Sequence, residues 1–199
     1  MNHLAHLVLA GDDEGLRLGA LLGDHVKGRL DRLTLPADQI VGIDLHRRID
    51  SASDRHPAVR DLVTSLQPPW RRYGGIILDV LFDHMLARHW SKFAAGSMDE
   101  FGAEIDALLA AWSGELPPRL ERFSRWAAAT GLWGRYGERG MLAEIFTLIA
   151  RRHGRTSPLA DGLVILDRHD LAIEQAFLAL MPDLLELSRR FRYSMISSI

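Results

Sequence analysis

Metal-competent side chains recur four residues apart in this chain: Asn2 and His6, His46 and Asp50, Asp79 and Asp83. On a helix such residues share a face, with Cβ atoms about 5–6 Å apart, so both members of a pair can reach one site. The surrounding stretches add Leu45-His46-Arg47-Arg48-Ile49-Asp50, Leu78-Asp79-Val80-Leu81-Phe82-Asp83-His84 and His89-Trp90. Acids and histidines set in apolar helix are costly unless something compensates them, and a divalent cation would. Imidazole with carboxylate suits manganese, iron or zinc, and carboxylate with water suits magnesium or manganese. Such an ion lowers the pKa of its water and polarises a phosphoryl oxygen. A nearby histidine can then move a proton. One helix cannot surround an ion, so this chemistry needs ligands from several elements.

Each feature also has a plain structural explanation. An i,i+4 His–Asp pair is common by chance. Ile76, Ile77, Leu78, Val80, Leu81 and Phe82 surround Asp79 almost continuously. A helix apolar nearly all round is buried, so an acid inside it needs a partner. Arg47, Arg48 or Arg72 would serve as well as a metal, in a buried salt bridge. Asp24 follows Leu21-Leu22-Gly23, and His6 lies between Ala5 and Leu7. A lone histidine on an apolar face is commonly a core residue. His56, before Pro57, reads as a loop residue, and His169-Asp170 as a helix start in a polar stretch. Neither Glu-x-x-His, His-Glu-x-x-His, a P-loop nor Gly-x-Ser-x-Gly occurs, which argues against di-iron bundles and other familiar hydrolase frameworks.

The elements that must position these groups read as helices. Leu4, Leu7, Val8 and Leu9 open an apolar segment that Gly11 ends, and Leu16, Leu18, Leu21, Leu22 and Val26 continue the pattern to about Leu33. Pro36 starts a segment running toward a break at Ser51-Ala52-Ser53-Asp54, and Pro57 begins another helix. Pro68-Pro69 interrupts that helix, and the longest segment then spans about Trp70 to Phe93. Gly74-Gly75 weakens its first turns, at about 1 kcal/mol each relative to alanine. Further helices are predicted at 98–113, 119–130, 138–153 and 169–192, the last kinked or split by Pro182. Alternating strands, repeats and linkers are not evident, so the expected fold is an all-α single domain over 1–199.

Composition narrows the function classes. With 199 residues, 47% apolar and 25% charged, the chain is long enough for a substantial core. A formal charge of −2 gives no global field for nucleic acid or membrane. The absence of cysteine excludes thiolate zinc sites and a cysteine nucleophile, and fits a reducing cytoplasm. The sequence offers neither a signal-type start nor an apolar run near the roughly 20 residues that cross a bilayer.

Taken together, Met1-Asn2-His3-Leu4-Ala5-His6-Leu7, Leu21-Leu22-Gly23-Asp24, Gly42 to Asp50, and Leu78 to His84 through Arg88-His89-Trp90 resemble the acyl carrier protein phosphodiesterase family. The second half resembles it more loosely, through Leu166-Asp167-Arg168-His169. The resemblance implies a helical bundle distantly similar to HD phosphohydrolases. It also implies a manganese-dependent hydrolase, with Mg2+ or Fe2+ as alternatives, that releases 4′-phosphopantetheine from holo acyl carrier protein. Two positions depart from the family pattern: His3 replaces a usual aromatic, and His25 follows Asp24 where an apolar residue is common.

On this reading His6, Asp24, His46, Asp50, Asp79 and Asp83 are expected to hold one or two ions. Arg47 and Arg48 are expected on the phosphate, with His84 or His89 as proton donor to the departing serine oxygen. Carrier proteins are acidic, so docking would use a basic cluster. The candidates are Arg119, Arg122, Arg125, Arg135 and Arg139 against Glu121 and Glu138; Arg151, Arg152 and Arg155; or Arg189, Arg190 and Arg192, with Trp126 and Trp133 as anchors or core. The competing readings are a small-molecule or nucleotide phosphohydrolase with the same metal site, and a non-catalytic helical adaptor that binds a carrier.

Overall fold

The computed structural model describes residues 1–112, 114–153 and 157–196. Among the described residues the regular structure is entirely helical. The α-helices are α1 (His3–Ala10), α2 (Glu14–Leu22), α3 (Ala37–Arg55), α4 (Pro57–Ser65), α5 (Gly74–Arg88), α6 (Trp90–Phe93), α7 (Met98–Ala111), α8 (Pro118–Thr130), α9 (Leu132–Arg135), α10 (Arg139–His153) and α11 (Leu163–Ile196). The expected all-α class therefore holds.

Local chemistry sets the boundaries. The Asp13 side chain caps α2 by accepting from the Leu16 amide, and Ser97 with Glu100 forms a capping box on α7. Pro57 and Pro118 open α4 and α8, where a missing N–H costs nothing. Three segments differ from the sequence reading. α3 runs through Ser51-Ala52-Ser53-Asp54 to Arg55, because the breaker is His56 held extended before Pro57. The segment expected from Trp70 to Phe93 begins as a 3-10 turn at Trp70–Tyr73 and breaks again at His89. α11 continues through Pro182; its non-helical residue is His169, with φ −131° and ψ 15°.

α5 is the central helix, with Ile77, Leu78, Leu81, Phe82, Met85 and Leu86 fully buried against α1, α10 and α11. α1 lies on it through Leu4 and Leu7, and α2 and α3 complete the wall around α1. The α2–α3 contact is unusually close. A Cβ on Gly19 would come within 2.7 Å of Gly42 Cα and closer still to the Gln39 carbonyl oxygen. Only glycine at both positions lets the two backbones approach this far. That approach brings the chain leaving α2 against the middle of α3, where His46 lies.

Candidate metal centre

The site begins with a cap supplied from a distance. The first amides of a helix have no intrahelical acceptor, and the N-cap residue of α1, Asn2, makes no side-chain cap bond. Asp83 of α5 takes that role: Oδ2 accepts from the Leu4 amide at 2.9 Å and Oδ1 from the Ala5 amide at 3.0 Å. The Tyr136 hydroxyl also hydrogen-bonds Asp83, and burial pushes the carboxyl up to about 7. This anchor fixes the first turn of α1, and with it His3 and His6.

His6 and His46 meet across the α1–α3 contact with rings stacked 3.9 Å apart at 18°. Both present Nε2 to one carboxylate, His6 at 2.9 Å from Asp50 Oδ1 and His46 at 3.1 Å from Asp50 Oδ2. Asp24 Oδ1 lies 3.7 Å from His46 Nε2. The other Asp24 oxygen lies 4.0 Å from His3 Nδ1. Gly23 explains how His46 fits, since a Cβ there would overlap its ring. The imidazoles are 1% and 3% exposed, whereas Asp50 and Asp24 are 39% and 56% exposed. The site is therefore walled by histidine and opens on its carboxylate side.

Its carboxylates are compensated from within the chain. Burial opposes charge on His46, but hydrogen bonds to Asp24 and Asp50 outweigh it and raise the group to about 9. Burial dominates at His6 and lowers it to about 4, as it does at His3. The hydrogen bond to His46 holds Asp24 below the usual carboxylate range, and His46 and His6 do the same for Asp50 against the effect of burial. The Met1 ammonium lies 2.8 Å from Asp79 and 3.6 Å from Asp50. Carboxylates here are thus balanced by an imidazolium and an ammonium, the compensation a divalent ion would supply. Among the described residues, His6, His46 and Asp50 form the one group of three or more His, Cys, Asp or Glu whose ligand atoms all lie within 4.8 Å of one another. Two imidazole nitrogens with a carboxylate suit manganese, iron or zinc. Both Nδ1 atoms are buried without a partner, so neither ring is committed to a neighbour on its far side.

The expected residues distribute as follows. His6, His46 and Asp50 come together, with Asp24 beside them. Asp79 reaches the group through the ammonium it shares with Asp50. Asp83 faces the backbone of α1 instead. His84 Nδ1 contacts the Tyr136 carbonyl, and His89 Nε2 lies 2.6 Å from Glu174; neither bonds to the cluster. Arg47 donates to the Val26 and Gly28 carbonyls, bracing the loop after Asp24. Arg48 pairs with Asp44 and lies over the Phe191 ring. Trp133 is core, its Nε1 donating to Asp106, and Arg155 lies outside the described residues. The sequence reading missed the capping role of Asp83 and the glycines that seat His46. Gly15, Gly19 and Gly23 at four-residue spacing were the available signal.

Fold and site together define an all-α protein with a histidine–carboxylate group suited to a divalent ion. The profile of a family described as acyl carrier protein phosphodiesterase matches residues 1–184. An acyl carrier protein phosphodiesterase of Escherichia coli O45:K1 (strain S88) is 32% identical over 191 residues, covering 96% of this chain and 98% of its own length. A protein of the same name from Yersinia pestis is 30% identical over 186 residues, covering 93% and 96%. No solved structure matches the chain. The chain belongs to the acyl carrier protein phosphodiesterase family, and its class is that of phosphodiester hydrolases.

Proposed function

We propose that this chain is a divalent-cation-dependent phosphodiesterase that releases 4′-phosphopantetheine from holo acyl carrier protein, leaving the apo carrier. The observation that carries this reading is the convergence of His6, His46 and Asp50, from stretches 40 residues apart in sequence, on one cation-sized group. Family membership and the names of the relatives support an acyl carrier protein as the substrate.

His6, His46, Asp50 and Asp24 would hold the ion, manganese first, with magnesium or iron as alternatives; Asp79 is the next carboxylate outward. When bound, the ion supplies an acidic water and a Lewis acid for the phosphoryl oxygen. The chain's own groups do the rest. Asp24 and Asp50, half-exposed, face the side from which a diester must approach. Buried His6 and His46 exclude water from the back of the site. Asp83 and Arg47 act as positioning residues, one holding the first turn of α1 and the other the loop that carries Asp24.

Docking of an acidic carrier is supported by how charge is neutralised. Arg125, Arg135 and Arg139 pair with Glu121, Glu138 and Asp167, and Arg189 and Arg190 share Glu186. Among the described residues Arg119, Arg122, Arg151 and Arg152 on α8 and α10 form no ion pair, and Arg119 and Arg152 lie near His25, with Arg152 also near His3 and on the cleft that Asp24 lines. The test is incubation of holo carrier with the enzyme, with chelator, and with chelator followed by manganese, read by mass spectrometry of the carrier. Loss of the prosthetic-group mass that stops with chelator and returns with manganese is expected. Loss that persists in chelator would remove the cation, and no loss under any condition would remove the reaction.

A further inference from the structure

Asp24 is shared between the candidate metal centre and a second feature. One of its oxygens faces His46, and the other faces His3, which lines a cleft of about 140 Å³ between the first turn of α1, α8 and α10. The cleft walls are apolar, formed by Phe123, Trp126, Ile145, Leu148 and Ile149 among others. Phe123 also packs on the His3 ring, with centroids 4.4 Å apart. Among the described residues, two polar side chains on the lining have no hydrogen-bond or ion-pair partner. Asn2 makes no side-chain cap bond although it is the N-cap of α1. Arg152, on the last turn of α10, lines the cleft with its guanidinium outside any ion pair, in a molecule where most arginines near an acid are paired.

The arrangement is selective. An apolar slot cannot take a second charged group without a large desolvation cost. A guanidinium on the same lining as Asp24, but not paired with it, favours one anionic group between them. An unpaired amide facing the apolar wall of Phe123, Trp126 and Leu148 fits a neutral hydrogen-bonding group. We infer that this cleft, at about 140 Å³, seats the phosphate-proximal part of the organic arm carried by the phosphate of the substrate, a neutral amide-containing chain, with Arg152 on a phosphate oxygen and Asn2 on the first amide of the arm. The inference rests on the proposed reaction and adds which residues distinguish the arm from other phosphate esters. Arg152 takes the phosphate role that the sequence suggested for Arg47 and Arg48, whose guanidinium groups are engaged elsewhere.

The test separates binding from turnover. Manganese-loaded enzyme is titrated with 4′-phosphopantetheine and, separately, with inorganic phosphate, following heat by calorimetry. Wild type should bind 4′-phosphopantetheine at least tenfold more tightly than phosphate. Leu148→Trp, which fills the slot, should abolish that preference while leaving manganese affinity and circular dichroism unchanged. Arg152→Ala should weaken both ligands at least tenfold, with partial recovery in Arg152→Lys. Asn2→Ala should weaken only 4′-phosphopantetheine. With holo carrier, Leu148→Trp should raise KM at least tenfold. Equal wild-type affinity for the two ligands, or a Leu148→Trp enzyme within twofold of wild type on both measures, would overturn the cleft even if turnover persists. Selective binding without any turnover would keep the cleft and remove the proposed reaction.

Discussion

His46 is the side chain on which the proposed centre turns. It is buried, stacked on His6 and faces carboxylates on α3 at 3.1 Å and in the α2 exit loop at 3.7 Å. Its raised pKa of about 9 gives two linked expectations. A ligating imidazole must surrender its proton, so apparent manganese affinity should rise about tenfold per pH unit up to about pH 9, with one proton released per ion; calorimetry in buffers of different ionisation enthalpy checks this. In the cation-free protein the raised pKa means the group's stabilisation is complete below pH 6.5 and is lost as pH rises through about 9. Because Asp24 and Asp50 are 56% and 39% exposed, screening limits that loss to about 1–2 kcal/mol. Urea melts at pH 6.5 and 9.5 should show it in wild type and a smaller loss in His46→Ala, where the Met1 ammonium, raised to about 10 beside Asp79 and Asp50, still titrates. Asp83 behaves differently. Removing it strands two buried amides, so Asp83→Ala should cost about 2–4 kcal/mol in urea unfolding, whereas Asp50→Ala should lower turnover at least 100-fold with little change in the melt. If Asp83→Ala unfolds like wild type, the capping role is gone.

At the scale of elements, glycines decide where the ligands stand. Gly19 and Gly42 set the α2–α3 spacing, and Gly23 leaves room for the His46 ring. Gly19→Ala places a methyl against backbone that cannot move aside, so a loss of about 1–3 kcal/mol or more is expected. Gly23→Ala should instead displace the His46 ring, weakening manganese binding more than it lowers the melting temperature; equal losses in both would mean the glycine serves only packing. The helices themselves were readable from apolar periodicity, and proline marked the starts of α4 and α8. Three boundaries were misplaced because short-range cues compete. Ser51 to Asp54 reads as a turn, yet the buried Ser53 face and Pro57 carry α3 onward, and burial of Leu180 and Leu184 keeps α11 helical across Pro182. His6, Asp24, His46 and Asp50 were legible by residue type and flanking pattern. That Asp83 would face backbone amides was not, because an acid four residues from another looks the same whether its partner is an ion or the first turn of a remote helix.

For the whole molecule, Arg119 and Arg152 lie on the side that carries His3 and His25, while the net charge is only −2. Attraction for an acidic partner is therefore local. Carrier KM should rise steeply between about 50 and 300 mM salt, with kcat little changed, since the Debye length falls below about 10 Å over that range. Arg119→Glu with Arg122→Glu should raise KM at low salt and flatten the salt profile; a profile already flat in wild type would point to an apolar interface.

The cap on α1 spans 78 and 79 residues of chain, and this separation orders events during synthesis. Translation delivers the segment bearing His3 and His6 long before residue 83 emerges, and during that interval the first turn lacks its acceptor. On the proposed reading, ion capture would follow completion of the central helix. A ribosome-bound fragment ending near residue 70 would hold most of the proposed ligands yet gain no tight grip on manganese.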